Sequence, residues 1–230
     1  MQKIGLKKGM LICFIGIDGA GKSTLAKTLI ENMRKHGIKT EYIWCKFESS
    51  LLKLLIFIKN KLFVQEDDWK KNYEISREIK KNLFKKRFAY TLYGCFILFD
   101  YRFQIIRKII IPLKRGRNLV CDRYIYDTVV DLAVDLGYSD EKVKNRISQL
   151  LDFAPKPDLV FLVDLPEDVA FSRKEDVPSV EFLCEKRRIY KKIGEEFEMI
   201  DLDGTESLQE LNEEIEKEVI KLQIEKERGC

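Results

Sequence analysis

The chain has 230 residues, of which 45% are hydrophobic and 35% charged, with a net charge of +4 at pH 7. Such a chain can bury a core, which argues against disorder, and its small net charge argues against a dedicated nucleic-acid-binding protein. The only histidine is His36, which excludes a Ser-His-Asp triad and argues against a zinc site. We expect a single domain over residues 1–230, with its core at about 10–226.

The six cysteines are scattered and form no CxxC pair, which favours a reducing cytoplasm over a disulfide framework. Residues 1–9 lack the apolar core of a signal peptide. The longest uncharged apolar run, residues 88–99, is too short to cross a bilayer. We therefore expect a cytoplasmic protein with no membrane-spanning segment.

Short apolar segments alternate with amphipathic ones along the chain. The run Met10–Ile17 is almost entirely apolar, as in a strand buried on both faces. A helix is predicted from Lys22 to Lys35, where apolar residues recur at helical spacing before Gly37. Further strands are predicted at Thr40–Cys45, Asn118–Asp122, Asp158–Asp164 and Phe197–Asp203. The alternation predicts an α/β fold, a three-layer αβα sandwich with a five-stranded parallel sheet that binds ligands beyond the carboxyl ends of its strands.

A glycine-rich motif separates the first strand from the first helix. Residues 16–23 match G-x-x-x-x-G-K-[ST], whose glycines let backbone N–H groups face a phosphate at the helix N-terminus. Lys22 is expected to reach the β/γ-phosphates of ATP, and Ser23 to bind Mg²⁺. A tight turn with accidental glycines is the alternative. The predicted ATP-binding residues are Gly16, Ile17, Asp18, Gly19, Ala20, Gly21, Lys22, Ser23 and Thr24.

An acidic residue ends the third predicted strand. Asp122 is predicted to hold Mg²⁺, through a water molecule or through Ser23. Arg123 follows at once, and its guanidinium group can bind a phosphate through two N–H donors. An Asp122–Arg123 surface ion pair is the structural alternative.

Together these segments resemble the thymidylate kinase family. The resemblance rests on Phe14–Thr24, on Asp122-Arg-Tyr124 and on Pro157–Asp164, which occur in the family's order. It implies a P-loop NTPase fold with a short lid and a small-molecule nucleotide as acceptor. The implied reaction is the phosphorylation of a nucleoside monophosphate by ATP and Mg²⁺, with dTMP converted to dTDP as the leading case.

The resemblance also implies roles for single residues. In the family, the residue at Asp18 contacts the acceptor's sugar and phosphate region, and the arginine at Arg123 binds the transferring phosphates. Lys46 stands where the family has an arginine that holds the acceptor phosphate. Arg102, shifted by one residue, corresponds to the arginine of the family's Ala-Asp-Arg segment. With Tyr124, these residues form the predicted acceptor site.

A lid is implied after the fourth strand. Gly19 stands where some family members carry a catalytic arginine, and members without it carry arginines in a mobile lid. Arg173 and Lys174 lie in this region, which we place at about 173–182, unless they are only a solvated helix end. Arg187 and Arg188 are further candidates. The predicted catalytic residues are Lys22, Asp122, Arg123 and Arg173.

Some parts of the chain depart from the family. The positions that read thymine correspond here to about Asp131 and Leu132. The segment 49–117 also diverges and begins with a basic amphipathic stretch, 49–64, which we expect to cover the acceptor cleft or form a homodimer interface, rather than lie on a membrane. Two alternatives stay open: a P-loop kinase with another nucleotide, nucleoside or small-molecule acceptor, and a non-catalytic P-loop module that binds through its basic surface.

Overall fold

The computed structural model describes residues 9–46, 101–174 and 177–228. The packing divides the chain into a larger unit, Met1–Lys46 with Lys108–Cys230, and a smaller unit, Phe47–Arg107. In the smaller unit the described residues are 101–107, where helical backbone at 101–105 enters a π-helical turn, Ile106–Ile110. The predicted amphipathic stretch 49–64 lies outside the described residues.

Five strands form one parallel sheet in the larger unit. Their order across the sheet is β2-β3-β1-β4-β5. The predicted five-stranded parallel sheet is thus confirmed. The strands are β1 (Leu11–Ile15), β2 (Thr40–Trp44), β3 (Asn118–Asp122), β4 (Leu159–Asp164) and β5 (Ile200–Asp203).

Helices cover both faces of this sheet. The connection from β1 to β2 runs toward one edge, and those from β3 to β4 and from β4 to β5 run toward the other. Right-handed crossovers therefore place their helices on opposite faces. The helices of the larger unit are α1 (Lys22–Lys35), α2 (Ile111–Lys114), α3 (Ile125–Leu136), α4 (Asp140–Leu151), α5 (Glu167–Ser172), α6 (Val180–Glu196) and α7 (Leu208–Arg228).

The packing between helices agrees with this assignment. On one face α1 contacts α7, and on the other α3 contacts both α4 and α6. The chain therefore has the three-layer αβα arrangement that the alternating pattern predicts. None of the described helices is both long enough and apolar enough to cross a bilayer.

β2 and β4 are each one residue shorter than predicted, and two other strands, β1 and β5, are each three residues shorter. Gly16 ends β1, because its φ of 138° leaves the strand conformation. At the other end of the sheet α6 continues to Glu196, and Glu198 turns the chain with a φ of 51°, so β5 begins at Ile200 instead of Phe197. Local backbone geometry accounts for both differences.

The central strand fixes the position of the candidate site. Every residue of β1 is buried, and the ring of Phe14 stacks on that of Phe161 in β4 at a centroid distance of 5.1 Å. The register of β1 with β3 pairs Phe14 with Asp122. The loop after β1 therefore emerges beside the acidic end of β3, in the crevice where open parallel sheets bind ligands.

Candidate functional site

The loop between β1 and α1 has backbone conformations that require glycine. Gly16 has a φ of 138° and Gly19 a φ of 90°, values that L-residues rarely adopt. A Cβ atom at Gly16 would lie 2.5 Å from the carbonyl oxygen of Val163, and one at Gly19 would lie 2.4 Å from that of Ala170. The loop is thus held tightly against β4 and α5, with the N-terminus of α1 following it.

Lys22 is buried at the start of α1, with 4% of its surface exposed. Its ammonium group donates to the carbonyl oxygens of Gly16 at 2.9 Å and Ile17 at 2.6 Å. Burial, together with the nearby positive charge of Arg123, lowers the pKa of Lys22 from its usual 10.5 to about 7. An anion in this loop would favour the charged form of Lys22.

Asp122 lies beside the hydroxyl group of Ser23 at the end of β3. Its Oδ2 accepts hydrogen bonds from the Ser23 hydroxyl group and, at 2.7 Å, from that of Tyr42. Its Oδ1 is buried and has no hydrogen-bond partner among the described residues. A buried carboxylate oxygen without a donor is costly, and a water molecule on a bound cation would supply one. Asp122 and Ser23 therefore fit a Mg²⁺ site.

Tyr42 is a member of this cluster that the sequence analysis missed. It lies on β2, two residues before the position paired with Asp122. Burial and the hydrogen bond to Asp122 raise the pKa of Tyr42 to about 12, so its hydroxyl group stays protonated as a donor at neutral pH. This contact cannot be predicted from the phosphate-loop motif or from β3, because Tyr42 lies on β2.

Arg123 has a φ of 72°, a left-handed conformation that a non-glycine residue adopts at an energetic cost. Its backbone N–H donates to the carbonyl oxygen of Phe14 at 2.9 Å, which holds this conformation in place. Its guanidinium group donates to Asp18 and, at 3.5 Å, to Asp127. The side-chain partners of Arg123 are thus two buried or half-buried acids, and not Asp122 as in the surface-pair alternative.

Charge keeps this arginine protonated inside the protein. Burial alone would lower the pKa of Arg123, but the carboxylates of Asp127 and Asp18 outweigh burial and raise it. Burial likewise works against ionisation of Asp18, and the charges of Lys186 and Arg123 reverse that effect and lower its pKa. Both side chains are therefore charged at neutral pH.

Lys186 on α6 is the second cation on Asp18. Its ammonium group is 2.9 Å from Oδ2 of Asp18 and 2.6 Å from Oδ1 of Asp131, and the residue is only 1% exposed. The sequence analysis selected its neighbours on α6 and missed Lys186. A signal was present, because Lys186 falls in the buried stripe of α6 with Leu183, Tyr190 and Ile193.

The other predicted acceptor residues lie in different environments. Lys46 lies 3.8 Å from Oδ2 of Asp131, at the edge of the cluster. Tyr124 is fully buried, and its hydroxyl group donates to the carbonyl oxygen of Pro155 at 2.8 Å. Arg102 lies in the smaller unit, in the helical backbone at 101–105. Their roles in acceptor binding stay predictions.

The predicted lid region begins where α5 ends. Arg173 caps the C-terminus of α5, and both Arg173 and Lys174 are exposed. Arg187 is bound instead to Asp164, at 2.6 and 3.0 Å, and to Glu167 at 2.7 Å. Arg173 is therefore exposed, whereas Arg187 is held by two carboxylates, and the catalytic role of Arg173 stays a prediction.

The chain is similar in sequence to known proteins of one family. The family model for thymidylate kinase matches residues 58–215. A thymidylate kinase of Plasmodium falciparum is 26% identical over 96% of this chain and 94% of its own length. A probable thymidylate kinase of Pyrococcus horikoshii is 29% identical, with coverages of 90% and 94%, and a thymidylate kinase of Kosmotoga olearia is 27% identical, with 92% and 95%.

Proposed function

The chain belongs to the thymidylate kinase family, and we propose that it transfers the γ-phosphoryl group of ATP to dTMP, giving ADP and dTDP. One observation carries the proposal beyond family membership. The guanidinium group of Arg123 is bonded to Asp18, a residue of the phosphate loop itself. A cation that can bind the transferring phosphoryl group is thus attached to the loop that would bind its donor.

The donor half of the reaction is assigned to the loop and α1. The backbone N–H groups of residues 16–23 and the N-terminus of α1 would bind the ATP phosphates. Lys22 would exchange its bonds to Gly16 and Ile17 for the β/γ-phosphates and neutralise the charge that develops there. The backbone of the loop needs little reorganisation for this, because it is already held by its contacts with β4 and α5.

Asp122 and Ser23 are the residues that would hold Mg²⁺. Mg²⁺ prefers oxygen ligands, keeps several water molecules and binds substrate phosphates, so a carboxylate and a hydroxyl group suffice from the protein. Within the described part of the chain no cluster of three or more His, Cys, Asp or Glu side chains is placed to hold a metal. When bound, the ion would neutralise charge on the β- and γ-phosphates.

The acceptor half is assigned to Asp18 and Arg123. Asp18 would orient the acceptor, and the N–H donors of Arg123 would bind the acceptor phosphate as well as the transferring phosphoryl group. An acceptor phosphate oxygen is already nucleophilic, so the protein need not supply a general base. Positioning and charge stabilisation would therefore account for catalysis, with Arg173 closing over the ATP phosphates from the lid.

The acceptor is tested by coupled ADP release with ATP and Mg²⁺. The acceptors are dTMP, dUMP, dCMP, dGMP, AMP and UMP, with an acceptor-free control and Lys22→Ala as the blank. We expect dTMP to give the largest kcat/KM and Lys22→Ala to remove the signal. ADP release that no nucleotide accelerates would contradict the proposal, and a preference for another nucleotide would replace dTMP as the acceptor.

We also propose a homodimer in the cytoplasm. The dimer is proposed on the resemblance to the family. The compartment is supported by the cysteines that the structure describes, which are free thiols: Cys13, Cys45, Cys121 and Cys184.

A further inference from the structure

Lys186 is a charged residue at a buried position of α6, where the helical pattern predicts an apolar residue. It lies in the buried stripe of α6, and its ammonium group is 5.2 Å from the centroid of the Phe182 ring. A leucine or methionine at this position would complete the stripe without the cost of burying a charge. Packing alone therefore does not explain a lysine here.

The contacts of Lys186 connect two elements of the site. Its ammonium group bonds Asp131 on α3 and Asp18 in the phosphate loop. The two oxygens of Asp18 have different partners: Oδ2 accepts from Lys186, and Oδ1 accepts from Arg123. Asp18 is therefore held by two cations at once, each on its own oxygen.

Both terminal nitrogens of Arg123 already contact carboxylates. Nη2 donates to Asp18, and Nη1 makes a long contact of 3.5 Å with Asp127. A phosphate that binds through both terminal nitrogens therefore competes with Asp18 for Nη2. If Arg123 were the only hydrogen-bonded cation on Asp18, the phosphate would compete with that carboxylate for the arginine.

We propose that Lys186 is a positioning residue of the acceptor site, which holds Asp18 in place so that Arg123 is released to the acceptor phosphate. The inference rests on the proposed function, because it requires Arg123 to bind that phosphate. Lys186 itself is too buried to touch the acceptor, and it acts through Asp18. Asp131 in turn forms an ion pair with Lys186.

The test compares two Lys186 variants with wild type in steady-state turnover of dTMP. In Lys186→Met, Asp18 turns to Arg123 with both oxygens, so we expect the KM for dTMP to rise at least about tenfold while kcat changes less than about threefold. The KM for ATP should stay within about twofold. Lys186→Arg keeps a cation there and should restore most of the affinity for dTMP.

A matched control lies on the same helix. Lys192 is exposed and forms an ion pair with Asp140, so Lys192→Met removes a charge pair from α6 outside the cluster. We expect its KM for dTMP to equal that of wild type. A purely structural role for Lys186 would lower the fraction of active enzyme, which lowers apparent kcat and leaves KM unchanged.

A double variant tests the inference if Lys186→Met does not fold. Lys186→Met combined with Asp131→Leu removes the ion pair between buried Lys186 and half-buried Asp131 as a unit, a change that folds often tolerate. Its control is Asp131→Leu alone, which leaves the bond between Lys186 and Asp18. The double variant should show the raised KM for dTMP, and the single variant a smaller rise.

Two results overturn the inference. One is an unchanged KM for dTMP in folded variants without Lys186, and the other is a loss confined to kcat. Wild-type turnover separates this failure from that of the proposed function. If wild type does not use dTMP, the proposed function fails and the inference fails with it; if wild type is active and only the KM prediction fails, the proposed function stands.

Discussion

The charge of Lys22 depends both on its burial and on whether nucleotide is bound. Its ammonium group bonds two carbonyl oxygens of its own loop, and its pKa is about 7 in the ligand-free protein. Phosphates in the loop favour the ammonium form, so binding of ATP should take up a proton above pH 7. Titration calorimetry at pH 8, in two buffers with different ionisation enthalpies, should show uptake of close to one proton per ATP.

The same titration at pH 6 is the internal control, because Lys22 is then already charged and its share of the uptake should shrink. Equal binding enthalpies in the two buffers at pH 8, after correction for MgATP alone, would show that Lys22 does not change its charge.

Burial of Lys22 also makes the stability of the ligand-free protein depend on pH. The folded-state pKa of about 7 lies below the usual 10.5, so between these values the unfolded chain binds more protons than the folded protein. The free energy of unfolding should therefore rise with pH across this window, relative to Lys22→Met. Urea titrations at pH 7 and pH 9 measure this difference. The same change in unfolding free energy with pH for wild type and Lys22→Met would contradict a lowered pKa of Lys22.

Arg123 is expected to need its guanidinium geometry as well as its charge. Arg123→Lys keeps a cation near Asp18 and Asp127 but loses the pair of parallel donors. We expect kcat/KM for dTMP to fall by about 10² or more.

The matched control for this change is Arg117→Lys, in an exposed pair with Glu41 before β3, which should stay within about twofold of wild type. An Arg123→Lys enzyme as active as the control would mean that charge alone suffices at this position.

Alanine substitutions at two glycines of the phosphate loop distinguish the cost of backbone strain from the cost of steric contact. Gly19 and Gly21 have similar φ values, 90° and 93°. A Cβ atom at Gly19 would lie 2.4 Å from the carbonyl oxygen of Ala170, whereas one at Gly21 would meet nothing within 4 Å. Gly21→Ala should lower the free energy of unfolding by about 1 kcal/mol, through φ alone.

Gly19→Ala should cost at least about twice as much as Gly21→Ala, because the loop must also move away from α5. Urea unfolding of the ligand-free variants measures both. An equal loss of unfolding free energy in the two variants would mean that the loop moves away from α5 at no energetic cost.

Elements whose signals lie in adjacent residues were predictable from the sequence. A buried central strand is an apolar run, and α1 begins and ends at the residues that its spacing indicates. The start of β5 was wrong by three residues, because Phe197 follows α6 as an apolar residue without belonging to the strand. An apolar run does not show where a helix ends and a strand begins.

The contacts of the site were less predictable, because they join distant parts of the chain. The motif identified Lys22, Ser23 and Asp18. It could not identify Tyr42, which reaches Asp122 from β2, or Lys186, which reaches Asp18 from α6. Such partners are visible in a sequence only as a polar residue in an apolar stripe, as at Lys186.

At the scale of the whole molecule, the family match includes residues of both compact units. The proposed homodimer can be tested by light scattering on the protein as it elutes from a sizing column, which should give twice the chain mass of 27.1 kDa. A single-chain mass across the concentrations used for turnover would contradict the proposed homodimer.

In the proposed reaction, this site moves the γ-phosphoryl group of ATP onto dTMP. The most direct measurement follows γ-labelled ATP with dTMP and Mg²⁺ and separates the labelled products by chromatography. We expect the label in dTDP for wild type, at rates that fall to background in Lys22→Ala and sharply in Arg123→Lys. Label that stays in ATP or appears only as inorganic phosphate would contradict the claim.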